Sequence, residues 1–222
     1  MPKVKVPRKS TTIDMTAMCD VAFLLLSFFI LTTKFKTPDP VQVTTPKSVS
    51  TKIVEQENAV LVTMDKEGKV YFSVADENKD QKSELIDMID QSKALNLTAA
   101  EKKAFLAPGN LIGVPFTQLK SYLQLSPEQI KAFKAPGIPV DSANNQLVDW
   151  IRAATTAFQG KTMRMFVKGD NDAKYPSFKG IIDALKKNEL FKFSMITDPE
   201  GVPPGTDLFK RKEAIGAKAT DE

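Results

Sequence analysis

Asp20 is the side chain whose setting promises chemistry: an acid inside the apolar run Ile13 to Phe35, IDMTAMCDVAFLLLSFFILTTKF. A carboxylate near the middle of a membrane-spanning helix costs on the order of 2.5 to 3.5 kcal/mol on insertion scales, so such groups face a partner helix or a wet cavity and mark ion pathways. Thr16 lies one helical turn before Asp20 and Ser27 two turns after it. The three share one face, a narrow polar stripe that asks for a protein partner. A blander reading puts Asp20 beside the headgroups with the apolar segment starting at Val21, and Asp14 is better suited to that interfacial place. Cys19 beside it reads as a small apolar filler.

The element that must position Asp20 is the helix itself. Met15 to Thr33 is about nineteen residues, which at about 1.5 Å per residue nearly crosses a hydrocarbon core of about 30 Å. Lys3, Lys5, Arg8 and Lys9 precede the run, and Lys34, Lys36 and Asp39 follow it. The positive-inside bias then leaves residues 1–12 in the cytoplasm, takes 13–35 through the membrane and exports the rest. A cleaved signal peptide would share the basic start and the short run Val21 to Leu31, but no small-x-small cleavage site follows Leu31, so a retained anchor is the expectation.

Composition removes other chemistries. The 222 residues hold no His and one Cys, and the net charge is +4. Catalysis or metal binding through His or through paired Cys within the chain is excluded, as is a disulfide in the exported part, and the charge is too small to argue for nucleic acid. Gly160-Lys161-Thr162 has the ending of a phosphate loop, yet Thr155 stands where its first glycine belongs and the segment leads into a strand. Asp170-Asn171-Asp172 lacks the glycine and distal glutamate of a calcium loop. No cofactor is expected.

Residues 36–58 read as an extended linker, with three prolines and little hydrophobic periodicity. Within it Val41 to Lys47 is either a plain tether or an edge strand for a partner. A hairpin follows: Ala59 to Asp65, a turn at Lys66-Glu67-Gly68, and Lys69 to Ser73. Ser83 caps an expected helix to about Leu95, and Thr98 to Glu101 and Ser126 to Gln129 are capping boxes. Phe116 to Leu125 reads as a short helix, with turns at Pro108-Gly109 and Pro136-Gly137. Asp141 or Ser142 caps a longer helix, Asn144 to Phe158, ended by Gly160. The last third is a strand-helix-strand unit: Met163 to Lys168, Pro176 to Lys187 and Leu190 to Thr197. Residues 203–222 form a charged tail expected to be mobile.

Thr16 to Phe29, TAMCDVAFLLLSFF, resembles the transmembrane signature of the ExbD/TolR family of biopolymer transport subunits, which work with ExbB/TolQ-type proteins in bacterial inner membranes. Asp20 falls on the family's intramembrane aspartate, its proposed proton carrier, and Thr16 on its nearby threonine; Ala17 replaces a usual proline, and Asp14 a common asparagine. The hairpin and the terminal unit also resemble the family's periplasmic domain, whereas residues 77–140 look like a helical insertion resembling longer members of Bacteroidetes type. The resemblance implies a single N-terminal transmembrane helix followed by an α+β periplasmic domain, 59–202, with a helical insertion. It also implies a non-enzymatic subunit of a motor driven by the proton-motive force, with a pair of anchors inside an ExbB/TolQ-like oligomer and a TonB-like or TolA-like transducer outside. A membrane-tethered binding module for peptidoglycan or protein, without ion coupling, is the competing expectation. The apolar side chains of the insertion, Leu106 to Leu125, predict that it packs on the hairpin and terminal unit as one domain.

Overall fold

The computed structural model describes residues 15–32, 41–49, 57–202, 204–207 and 209, in two compact units, 1–38 and 39–222. The expected cytoplasmic N-terminus, Asp14, the basic residues flanking the apolar run and most of the tail lie outside the described residues. The first unit contributes the helix α1, Met15–Thr32, 18 residues with no buried side chain. It is long and apolar enough to cross a membrane.

The second unit is a mixed α+β domain. Its elements are β1 Lys47–Ser48, β2 Ala59–Met64, β3 Val70–Val74, α2 Lys79–Lys93, α3 Ala99–Phe105, α4 Phe116–Leu123, α5 Pro127–Ala132, α6 Leu147–Ala157, β4 Arg164–Gly169, α7 Tyr175–Lys187, β5 Ser194–Ile196 and β6 Asp198–Pro199. The main sheet runs β3-β2-β4-β5, with β2 antiparallel to β3 and parallel to β4, and β4 parallel to β5. In the parallel register Val60 and Val62 lie beside Met165 and Val167. Equivalent positions in paired strands point to one face, so these four form a layer over which the helices close.

The insertion belongs to that same core. Phe105, Val114, Phe116, Leu119, Tyr122 and Ile138 are buried in one cluster with Val62, Phe72, Trp150 and Ile181. Trp150 on α6 is the centre: its ring stacks on Phe72 of β3 at 5.3 Å, Phe116 of α4 at 5.4 Å and Phe105 of α3 at 6.1 Å. The insertion also seals the sheet edge that the hairpin leaves open. Phe72 N–H donates to Ile112 O at 2.8 Å, Ile112 N–H donates back at 2.9 Å, and Ile138 N–H donates to Val70 O at 2.8 Å. Backbone groups that would template strand addition at β3 are thereby used up. The close approach depends on Gly113, where a Cβ would collide with the buried Tyr71 ring. Tyr71 donates its hydroxyl to Asp65 at 3.1 Å, and burial, then that carboxylate, push its ionisation well above the usual range.

Three expected boundaries move, two because tertiary contacts use polar residues and one because a local turn ends a helix. Ser83 does not cap α2; the helix starts at Lys79, one turn earlier, because Lys82 turns inward and pairs with Asp76 at 2.6 Å while its side chain is 3% exposed. Neither Asp141 nor Ser142 caps α6, which starts at Leu147. Asn145 instead donates to Gly180 O at 2.8 Å, and Gln146 accepts from Phe116 N–H at 2.9 Å. The last strand is only Ser194–Ile196. Leu190 is spent on ending α7, its N–H donating to Leu185 O at 3.0 Å after Glu189 turns left-handed at φ 58°. Both capping boxes, Thr98 with Glu101 and Ser126 with Gln129, are present.

Candidate functional site

Helix α1 displays Asp20 as its one charged residue on a mostly apolar surface. Thr16, Asp20 and Ser27 all lie within the continuous helix, at spacings that put them on one face. They differ in what they still need. Ser27 donates its hydroxyl to Leu24 O at 2.9 Å, so its hydrogen-bonding demand is met inside the helix. Asp20 has no ion-pair or hydrogen-bond partner among the described residues. It is the group on α1 whose solvation must come from outside the helix. Beside it Val21, Leu24, Leu25, Phe28 and Leu31 line a shallow apolar groove that also reaches Ser27.

In the second unit the structure uses residues that spacing did not single out. The stretch 41–49, expected as linker, is extended but fastened to the domain. Thr44 N–H donates to Asp170 Oδ2 at 2.9 Å, and Asn171 N–H donates to Thr44 O at 2.9 Å. Lys47 and Ser48 pair in parallel with Asp198 and Pro199, and Thr45 is buried. Of Val41 to Lys47, expected as a plain tether or an edge strand for a partner, Lys47 pairs with a strand of its own chain. Asp170 holds this strap because Gly169 ends β4 beside it and its other oxygen, Oδ1, accepts Asp172 N–H at 2.9 Å. A turn acid directly after a strand was the available signal.

The Asp172 N–H, then the Thr44 N–H, hold the Asp170 carboxyl below its ordinary value of 3.8. A group depressed in the folded state stabilises above its unfolded value and loses that contribution as pH falls through the folded one. The strap is expected to stay fastened at neutral pH and to loosen below about pH 4. Hydrogen exchange at Thr44 checks this. It should quicken on acidification relative to the core strand β2, and Asp170→Ala should show the quickened rate already at pH 7.

The motifs set aside in the sequence stay outside the chemistry. Gly160, at φ 83°, lies in the turn after α6, which ends at Ala157, and Lys161 and Thr162 lead into β4 on the wall of an open polar cleft of about 430 Å³ shared with Glu57, Asn58 and Arg164. No helix follows to cradle a phosphate. Asp170, Asn171 and Asp172 are engaged with the strap and with Lys66, which pairs with Asp172 at 3.3 Å. Among the described residues no group of three or more His, Cys, Asp or Glu is placed to hold a metal ion.

One helix long and apolar enough to cross a membrane, followed by a compact α+β domain, fits the class of single-anchor membrane subunits. The chain belongs to the ExbD/TolR family: the family model for biopolymer transport protein ExbD/TolR matches residues 7–200. That match runs through the insertion and ends one residue past β6. Comparison with curated proteins and with solved structures returned no match. Membership makes this an energy-coupling subunit of biopolymer transport, in a family of non-enzymatic proteins that associate with ExbB/TolQ-type membrane proteins and transducers.

Proposed function

We propose that the chain is the proton-coupling subunit of an inner-membrane motor, with Asp20 as the group that takes up and releases the proton. The observation that carries the reading is the solitary carboxyl on α1, without a partner among the described residues, in a chain matched over 7–200. A hydrocarbon surrounding favours the neutral acid and a polar partner surface favours the carboxylate. Protonation therefore selects which surface of a surrounding ExbB/TolQ-like oligomer α1 prefers. A proton crossing 100 mV releases about 2.3 kcal/mol, similar to the cost of burying one such acid, so the drive suffices. Two copies of α1 share the pore, and the domain, placed in the periplasm, passes the movement to a TonB-like or TolA-like transducer.

The reading is tested by reconstituting the chain with its ExbB/TolQ-type partner and following proton entry into vesicles under an imposed potential. Flux that needs both proteins and disappears in Asp20→Asn supports it. Equal flux in Asp20→Asn rejects it and leaves the tethered binding module. Topology has its own measurement. Reporters fused after Ser50 are expected to be active outside the cytoplasm, and an active cytoplasmic reporter there would reverse the orientation.

A further inference from the structure

We infer that the α7 side of the domain is a docking surface for an anionic phospholipid bilayer. Four large apolar side chains of the described domain are exposed, and three of them, Tyr175 at 72%, Phe191 at 75% and Met195 at 47%, fall in the segment formed by α7 and β5. The same segment is basic: from Ala173 to Phe193 five lysines stand against two acids. On α7 the residues Tyr175, Lys179, Ile182 and Lys186 recur at helical spacing on one face, with both lysines and the tyrosine exposed and Ile182 half-buried. Aromatic and aliphatic groups between lysines on an outward face are what an interfacial helix shows to lipid headgroups.

The rest of the domain does not share this character. From Asp76 to Asp90, the segment containing α2, six acids stand against two lysines. One of those, Lys82, is buried against Asp76. Helix α6 packs against both α2 and α7, so charge is polarised across the helical layer and the basic pole coincides with the exposed apolar groups. Anionic headgroups complement this pole, whereas a second copy docked face to face through it would bring lysines to lysines.

Chain length favours a bilayer over a distant partner. Eight residues, 33–40, join the end of α1 to the strap, a reach of at most about 30 Å. The strap enters the domain at Thr44, tied to Asp170 and Asn171 just ahead of the start of α7 at Tyr175.

The inference rests on α1 being an anchor and not on which compartment the domain occupies, and the test separates the two. The full chain is reconstituted into phosphatidylcholine vesicles with or without phosphatidylglycerol and treated with a membrane-impermeant amine reagent. Retention in carbonate-washed vesicles reports the anchor independently. Labelling of Lys179 and Lys186 is expected to fall about fivefold with the anionic lipid and to recover in about 1 M salt. Lys103, exposed on α3, should label equally in both. In the double variant Lys179→Gln, Lys186→Gln, the lipid-dependent protection of Lys192 should disappear. Equal labelling of Lys179 and Lys186 in the two lipids overturns the inference. So does protection that follows the density of chains per vesicle instead of lipid charge, which would mark a contact between copies.

Discussion

Asp20→Asn is expected to reduce energy-dependent transport to background while leaving the protein in the membrane at its normal level. Asparagine keeps the size and hydrogen-bonding capacity of the acid and removes only its titration. It is also cheaper to insert than a carboxylate, whose cost is on the order of 2.5 to 3.5 kcal/mol at a helix centre, so lost insertion cannot account for lost transport. The neighbours on the stripe provide a graded control. Ser27 already spends its hydroxyl on Leu24 O, so Ser27→Ala removes little that a partner helix would use, about 0.6 kcal/mol by the average of interhelical hydrogen bonds in membranes. Transport by Ser27→Ala should stay within a few-fold of the unaltered chain. Transport assays with protein levels and partner co-purification measured side by side decide the matter. Transport retained by Asp20→Asn would remove Asp20 from the mechanism.

The second large effect is on stability. Trp150→Ala is expected to destabilise the domain by about 3 to 5 kcal/mol, the usual range for deleting a large buried aromatic. Against a typical domain stability of 5 to 15 kcal/mol, that is enough to leave a sizeable unfolded fraction. The magnitude follows from position: Trp150 is fully buried and stacks on Phe72, Phe105 and Phe116, thus joining α6 to the hairpin and to two helices of the insertion. Trp150→Phe should cost much less, since it keeps most of the stacking and removes an indole N–H that has no hydrogen-bond partner. Denaturant unfolding followed by circular dichroism measures both. Because Trp150 joins the parts, the amides of β3 and of α4 should lose protection together in the alanine variant. Separate loss, or a cost under about 1 kcal/mol, would show that the insertion is not cooperative with the sheet.

Much of this protein is legible without coordinates, for a physical reason. The helix α1 is signalled by one apolar run whose length and composition together suit a membrane, and Asp20 stands out within it because an acid there is expensive. The hairpin, the two capping boxes and the cores of α6, α7 and β4 are signalled by patterns within a few residues of one another, which is where local propensity decides. The tertiary structure decided what distant residues do to one another. The sequence pattern starts a helix at Ser83, yet Asp76 draws Lys82 inward and Lys79 to Lys82 become the first turn of α2. Residues 41–49 have the composition of a linker, and only partners more than 100 positions away, Asp170 and the Asp198–Pro199 strand, turn them into a strap. Gly113 is an ordinary loop glycine until Tyr71 lies across it, and Trp150 an ordinary helix-face aromatic until three phenylalanines from separate elements stack around it. Sheet edges follow the same rule. Whether β3 or β5 is left open depends on where the insertion returns, and the hydrogen bonds of Ile112 and Ile138 close β3. Such bonds join groups whose separation along the chain carries no local signal, so only the folded molecule could place them.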